Sequence, residues 1–183
     1  YIGLVRDLTQ EEAMQARIEH LAWHDPLTGL ANRASLWQTM ETWLAAPAPF
    51  ALLFLDLDGF KKVNDGHGHG IGDEVLRAAA ERLRHGVAGT DVVGRFGGDE
   101  FVVLLAGIGE DARAFAIANR LIAELSDPII VDNQQHRIGV SIGIVMRRAS
   151  DTSAQELVRA ADAAMYRAKE TGRNRAILAR PKG

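Results

Sequence analysis

The sequence predicts an α/β (α+β) domain in which a central mixed β-sheet is wrapped by helices. Three observations lead there. Short apolar segments of strand length alternate with longer helical stretches. Phe50 to Leu57 is a nearly continuous apolar run, the pattern of a central strand buried on both faces. Two pairs of segments read as hairpins, so antiparallel pairs must share the sheet with crossover connections.

Along the chain, Tyr1 to Val5 reads as the end of a strand, and Thr9 with Glu11 and Glu12 as a helix start. Met14, Ile18 and Leu21 follow at spacings of four and three, a seam suited to a short coiled coil or to a linker helix lying on its own domain. Asp25-Pro26-Leu27-Thr28-Gly29-Leu30 breaks the helical pattern. A helix is expected from about Asn32 to Ala46, stopped by Pro47 and Pro49. After the Phe50–Leu57 strand, Asp58 is placed to cap a short helix through Val63. The glycine-rich stretch Gly66 to Gly72 comes next, then a helix from about Asp73 to His85. Asp91–Phe96 and Phe101–Leu105 form the first expected hairpin, turning at Gly97-Gly98-Asp99-Glu100. A helix from Asp111 to Leu125 precedes the second, Ile129–Val131 with Arg137–Met146. The last helix spans Ala154 to Thr171, ended by Gly172, and Ala176–Leu178 is a final strand.

Bulk properties narrow the function classes. The 183 residues fit one domain with a short appendage, divided at residues 1–24 and 25–183. A net charge of −3 argues against a nucleic-acid-binding surface. No run of eighteen apolar residues exists to span a membrane. Cysteine is absent, which removes disulfides and thiolate chemistry and fits a reducing, cytoplasmic setting.

Four polar clusters interrupt the plain pattern. In Leu55-Asp56-Leu57-Asp58 a buried strand ends in two carboxylates that alternation puts on one side. The bland alternative makes Asp56 a solvated strand end. The hairpin turn adds Asp99 and Glu100, which are also readable as an ordinary acidic turn. A central strand and a neighbouring hairpin can bring Asp56, Asp99 and Glu100 to one sheet edge. Three carboxylates there call for hard cations, Mg²⁺ or Mn²⁺, and such a site suits phosphoryl transfer. The third cluster runs from Asn64 to Asp73. A carboxylate at Asp73 can accept both donors of a guanine edge while Asn64 addresses the remaining acceptor; Asp73 can equally cap the following helix. His67 and His69 hint at zinc, but no third ligand lies near them in sequence. The fourth cluster contains Tyr166, Lys169, Arg173, Asn174 and Arg175. Lys169 and Arg173 can hold a triphosphate or simply complement the helix dipole. No P-loop motif is present.

Five motifs in order make the chain resemble the GGDEF family of diguanylate cyclases from about Asp25 to Arg175. They are Asp25 through Arg33, Asp56-Leu57-Asp58-Gly59-Phe60-Lys61, Asn64-Asp65 with Gly68-His69 and Gly72-Asp73, Arg95-Phe96-Gly97-Gly98-Asp99-Glu100-Phe101, and Ala161-Asp162 through Asn174. The resemblance implies a fold like the palm of nucleotide cyclases and polymerases. It implies that Asp56, Asp99 and the Leu57 carbonyl hold metal, two Mg²⁺ or Mn²⁺ per GTP-loaded half-site. Glu100 would bind metal and activate the 3′-hydroxyl. Asn64 and Asp73 would read guanine, with Leu30 near the base. Gly59, Phe60, Lys61, Lys169 and Arg173 would face the phosphates, and Gly97 and Gly98 would leave room for the nucleotide. Each such domain carries half a site, so a second copy is the implied partner and cyclic di-GMP the implied product. The first residues resemble the tail of a PAS domain followed by a linker helix.

One departure stands out. Many members of that family carry an inhibitory product site, Arg-x-x-Asp, before the signature; here it reads Ala88-Gly89-Thr90-Asp91. Asp91 remains, and Arg120 roughly matches a second arginine of that site, but Ala88 replaces the first. Product inhibition is expected to be weak. The rival expectation is a silent GTP-binding module that regulates a neighbouring domain such as a phosphodiesterase, but Asp56, Asp99 and Glu100 are all present.

Overall fold

A computed structural model describes residues 14, 15, 17, 20–148 and 153–179. The strand expected over Tyr1–Val5, the helix start at Thr9 and Ile18 lie outside the described residues. Residues 20–23 are helical. Met14 and Leu21 are exposed, so neither is covered by the domain itself.

Eleven elements follow among the described residues. They are α1 (Arg33–Ala45), β1 (Phe50–Asp58), α2 (Phe60–His85), β2 (Val92–Gly97), β3 (Glu100–Ala106) and α3 (Asp111–Ser126), then β4 (Ile129–Val131), β5 (Gln134–His136), β6 (Gly139–Met146), α4 (Ala154–Glu170) and β7 (Arg175–Leu178). The main sheet has the order β2-β3-β1-β6-β7. Its neighbours are antiparallel except β6 and β7, so the sheet is mixed, as expected.

The apolar run of β1 is central because it packs both ways. Ala51, Leu53, Leu55 and Leu57 face a core shared with Val75, Leu76 and Leu83 of α2 and Leu121 of α3. Phe50, Leu52 and Phe54 face the opposite core with Leu36 and Met40 of α1 and Leu157 and Met165 of α4. By alternation, Asp56 and Asp58 point to this second, α4 side. At Gly143 of β6 the α4 backbone comes so near that a Cβ would sit 1.9 Å from the Ala161 carbonyl oxygen, so glycine lets α4 press onto the sheet beside β1.

Three expectations need correction. The glycine-rich stretch is not a loop: α2 begins at Phe60 and runs through it, and Gly68 alone leaves helical geometry, at φ 84° and ψ 165°. Glycine tolerates that kink, while Val63 on one side and Val75 on the other anchor both halves in the core. Asp58 does not cap this helix; Gly59 occupies the cap position and no side chain bonds there. The second hairpin also differs. β4 pairs with β5 across Asp132-Asn133, whose φ angles of 49° and 61° suit a two-residue primed turn. β6 instead joins the main sheet between β1 and β7. The Asp-Asn turn signal, which closes a hairpin only three residues long on each side, was the overlooked clue.

No helix among the described residues is long and apolar enough to cross a membrane.

Candidate active site

The C-terminal end of β1 gathers the chemistry. Asp56 lies directly across from Glu100 in the β1–β3 register, and the Leu57 N–H donates to the Asp99 carbonyl oxygen at 3.2 Å. The first hairpin thus carries both signature acids to Asp56 through ordinary strand pairing. The turn itself differs slightly from expectation: Gly98 alone has a positive φ, 49°, while Gly97 ends β2 after a bulge.

These carboxylates stand in poor surroundings for negative charge. Burial pushes the Asp56 carboxyl above its usual range; a hydrogen bond from Lys169 opposes this, and repulsion from Asp99 and Asp58 adds to it. Glu100 is raised by burial and by repulsion from Asp56, Asp162 and Asp99, against the pull of Lys169. The Lys169 ammonium lies 2.7 Å from the Asp56 carboxylate. Among the described residues no three His, Cys, Asp or Glu side chains form a ready metal cage. Yet an anionic cluster already drawing in one ammonium fits a hard divalent cation, with Asp56, Asp99, Glu100 and the Leu57 carbonyl as its oxygen donors.

Asp162, part of the last motif but given no role there, is a further carboxylate of the cluster. It lies seven residues before Lys169 in α4, hence on the same helical stripe, and that spacing was the available signal.

The pair expected to read the base is built on α2. Asn64 in the first half and Asp73 in the second flank the kink at Gly68. Asp73 lies inside the helix, so it caps nothing. Asn64 packs over Gly72, where a Cβ would stand 1.9 Å from its Oδ1. That Oδ1 is buried without a hydrogen-bond partner. Asp73 likewise has no hydrogen bond or ion pair to another described residue. Leu30, 5% exposed, packs in the core cluster that includes Phe60 and Val63.

Two of the expected phosphate-binding groups lie near the junction of β1 and α2. Gly59, Phe60 and Lys61 form the helix entrance, where the first N–H groups have no intrahelical acceptor. Lys169 and Arg173 approach from the end of α4; Arg173 stays exposed, its Nε 3.8 Å from Asp58.

Arg95 has a larger part than the sequence reading gave it. Its Nε and Nη2 donate to the Gly98 carbonyl oxygen at 2.9 and 2.8 Å, and Nη1 lies 3.3 Å from Asp25. Asp25 in turn accepts from the Thr28 hydroxyl at 2.7 Å and its N–H at 2.9 Å. Burial raises the Asp25 carboxyl, but Thr28 and Arg95 outweigh it and hold the group below its usual range. Arg95 therefore clamps the signature turn to the Asp25–Leu30 loop. Phe96 adds apolar support, stacked by the Arg33 guanidinium at 4.5 Å and edge-on to Phe54.

The other sequence-predicted residues sit apart from this site. Asp91 accepts from the N–H groups of Ala88 and Ala106 at 2.9 and 3.0 Å. Arg120 donates twice to the Gly86 carbonyl oxygen, at 3.1 and 2.6 Å. His67 packs edge-on against the buried ring of His136, with centroids 4.8 Å apart, an aromatic contact the sequence reading did not foresee.

Comparison with known proteins gives the family. Residues 22–175 match the family model described as "Diguanylate cyclase, GGDEF domain". The chain is 44% identical over 158 residues to the bifunctional diguanylate cyclase/cyclic di-GMP phosphodiesterase MucR of Pseudomonas aeruginosa, covering 84% of this chain and 23% of that protein. It is 37% identical over 180 residues to the diguanylate cyclase DgcM of Escherichia coli, covering 96% and 43%. The chain thus spans less than half the length of these relatives. Among solved structures, the coiled coil and GGDEF domain of DgcB from Caulobacter crescentus, in complex with c-di-GMP, superposes with a TM-score of 0.87 at 26% identity, covering 97% of this chain and 96% of that one. The chain belongs to the GGDEF domain family of diguanylate cyclases.

Proposed function

We propose that two copies of this domain, face to face, condense two GTP molecules into cyclic di-GMP. The 3′-hydroxyl of each GTP attacks the α-phosphorus of the other. One P–O bond forms, the bond to the bridging oxygen of the β-phosphate breaks, and pyrophosphate leaves with the electron pair. The observation that carries this reading is the cross-strand pair of buried Asp56 and half-buried Glu100, both raised and near Lys169.

In this reading Glu100 accepts the proton of the attacking hydroxyl, a role its raised pKa suits. Asp73 accepts the two donors of the guanine edge and Asn64 completes base recognition; neither Asn64 Oδ1 nor the Asp73 side chain has a competing partner among the described residues. Lys169 and Arg173 hold phosphate oxygens, and the N–H groups at the entrance of α2 add neutral donors. Mg²⁺ or Mn²⁺, two per half-site, held by Asp56, Asp99, Glu100 and the Leu57 carbonyl, would neutralise phosphate charge and acidify the hydroxyl. GTP as substrate places the domain in the cytoplasm. Because each copy supplies one GTP, catalysis needs a homodimer, and exposed Met14 and Leu21 on the entering helix are available to pair two chains.

The test is incubation with GTP and Mg²⁺ across a range of protein concentrations, with chromatography of the products. Cyclic di-GMP should appear with a rate per chain that rises with concentration. GTP that survives intact at the highest concentration, even when two copies are fused to an added coiled coil, sinks the proposal.

A further inference from the structure

The two aspartates at the end of β1 point to the same side, yet they are bound to different things. Asp56 faces the signature acids and Lys169. Asp58 faces the exit of α4. Its carboxylate accepts the Ser141 hydroxyl, at 3.0 and 2.9 Å to its two oxygens, and the backbone N–H of Asn174 at 3.0 Å. Ser141 is fully buried on β6, so one side of this anchor is rigid.

The segment that Asp58 holds is unusual. Gly172, Arg173 and Asn174 have φ angles of 124°, 59° and 46°, so two successive residues with side chains sit in the left-handed region. L-residues visit that region singly and at a cost, and such a conformation persists only where its surroundings fix it. Here contacts from three sides fix it. The Arg173 N–H returns to the Ala168 carbonyl oxygen at 2.9 Å. The Asn174 side-chain oxygen accepts from the Val140 N–H and the Ser126 hydroxyl, both at 3.2 Å. Asp58 closes the hook from the third side.

We infer that Asp58 is a positioning residue for phosphate binding: it clamps the 172–174 hook so that Arg173 is presented to the triphosphate. The inference rests on the reading of Arg173 as a phosphate-holding group. It also separates two acids only two residues apart. Asp56 remains available to a cation, whereas Asp58 has given its oxygens to the fold. Arg173 is 65% exposed and its Nε stays 3.8 Å from Asp58, so the guanidinium is oriented without being consumed by a close ion pair.

The measurement is calorimetric affinity for 3′-deoxy-GTP and 3′-deoxy-GMP, neither of which can react because the attacking hydroxyl is missing. The ratio of the two affinities reports contacts to the outer phosphates and cancels base binding. Asp58→Ala should lower that ratio roughly tenfold, the size of one lost charge-assisted contact. Asp58→Asn, which keeps one acceptor oxygen, should fall between it and the wild type. Arg173→Gln is the control. If it leaves the ratio intact, the phosphate reading fails and the inference goes with it. If Arg173→Gln lowers the ratio while Asp58→Ala does not, the inference alone is overturned. Should Asp58→Ala not fold, Asn174→Ala strains the same hook from its exposed side and is read by the same ratio, with an unchanged value again overturning the inference.

Discussion

The candidate active site and the stretch around Asp91 hold similar side chains in opposite states. At the candidate active site, Asn64 Oδ1 is buried without a partner, the Asp73 side chain bonds to no other described residue, and Asp56 and Glu100 are pushed up by burial and by neighbouring carboxylates. Around Asp91 the charged groups are engaged: Asp91 closes the turn at Ala88 and ties it to Ala106, and Arg120 grips the Gly86 carbonyl. Buried polar groups without partners are costly to the protein that carries them, whereas polar groups bonded to nearby backbone are absorbed by the fold. The difference separates an acid that waits from an acid that merely holds the chain.

The sharpest way to break this contrast is Glu100→Gln. Turnover should fall about a thousandfold or more, while affinity for 3′-deoxy-GTP falls far less. If turnover survives, Glu100 is not the proton acceptor. Next in size is Asp73→Asn, which replaces one acceptor with a donor. Discrimination between GTP and ITP, which lacks the 2-amino group, should collapse, with kcat/KM for GTP down roughly 10–100-fold. Equal loss for both nucleotides would place Asp73 outside base recognition.

The counterpart in the second region is Asp91→Asn. It should leave product affinity untouched but lower stability by about 1–2 kcal/mol, read by urea unfolding, because two backbone N–H groups lose a charged acceptor. Cyclic di-GMP is expected to inhibit weakly throughout. Tight product binding that depends on Asp91 and Arg120 would show that these groups are not spent after all.

The smallest expected effect is in pH. The folded values of Asp56 and Glu100 lie above their ordinary 3.8 and 4.5. Their contribution to stability is complete below those values and is lost as pH rises through the raised ones. Asp25, held below 3.8, works the other way: its contribution is present above 3.8 and fades as pH falls through the lowered value. The metal-free domain should therefore lose a little stability on going from acidic to neutral pH. Stabilisation by added Mg²⁺ should widen over the same interval, by about 2–4 °C in Tm. A metal-induced shift that is flat with pH would remove the charge-repulsion account of the cluster.

Much of this was legible because it follows local rules. The apolar run of β1 and the Gly97-Gly98 turn mark a strand and a hairpin, and only the register that sets Glu100 directly opposite Asp56 needs the fold. What was not legible depended on tertiary contacts. Glycine propensity argued for a loop at Gly66 to Gly72, but the core on both sides of the kink kept it helical. Asp58 looked like a cap because helix caps are local, whereas its real partners, Ser141 and Asn174, are 83 and 116 residues away. Arg95 posed the same difficulty, since its ion-pair partner Asp25 lies 70 residues earlier. The β4–β5 hairpin was misread because β6 offered a longer and more apolar strand nearby.

Lys169 carries a consequence for the order in which the site is filled. In the empty domain its ammonium serves as an internal counter-ion for Asp56, at 2.7 Å. A cation arriving alone must compete with that ammonium, and a triphosphate arriving alone must draw Lys169 away from a carboxylate that then stands bare. When both arrive, Lys169 moves its charge to the phosphates just as Asp56 gains another partner. Each guest removes the obstacle facing the other, so their binding is positively linked, and by reciprocity each tightens the other by the same factor. The lysine would thus make the half-site bind metal or nucleotide more weakly singly than as a pair.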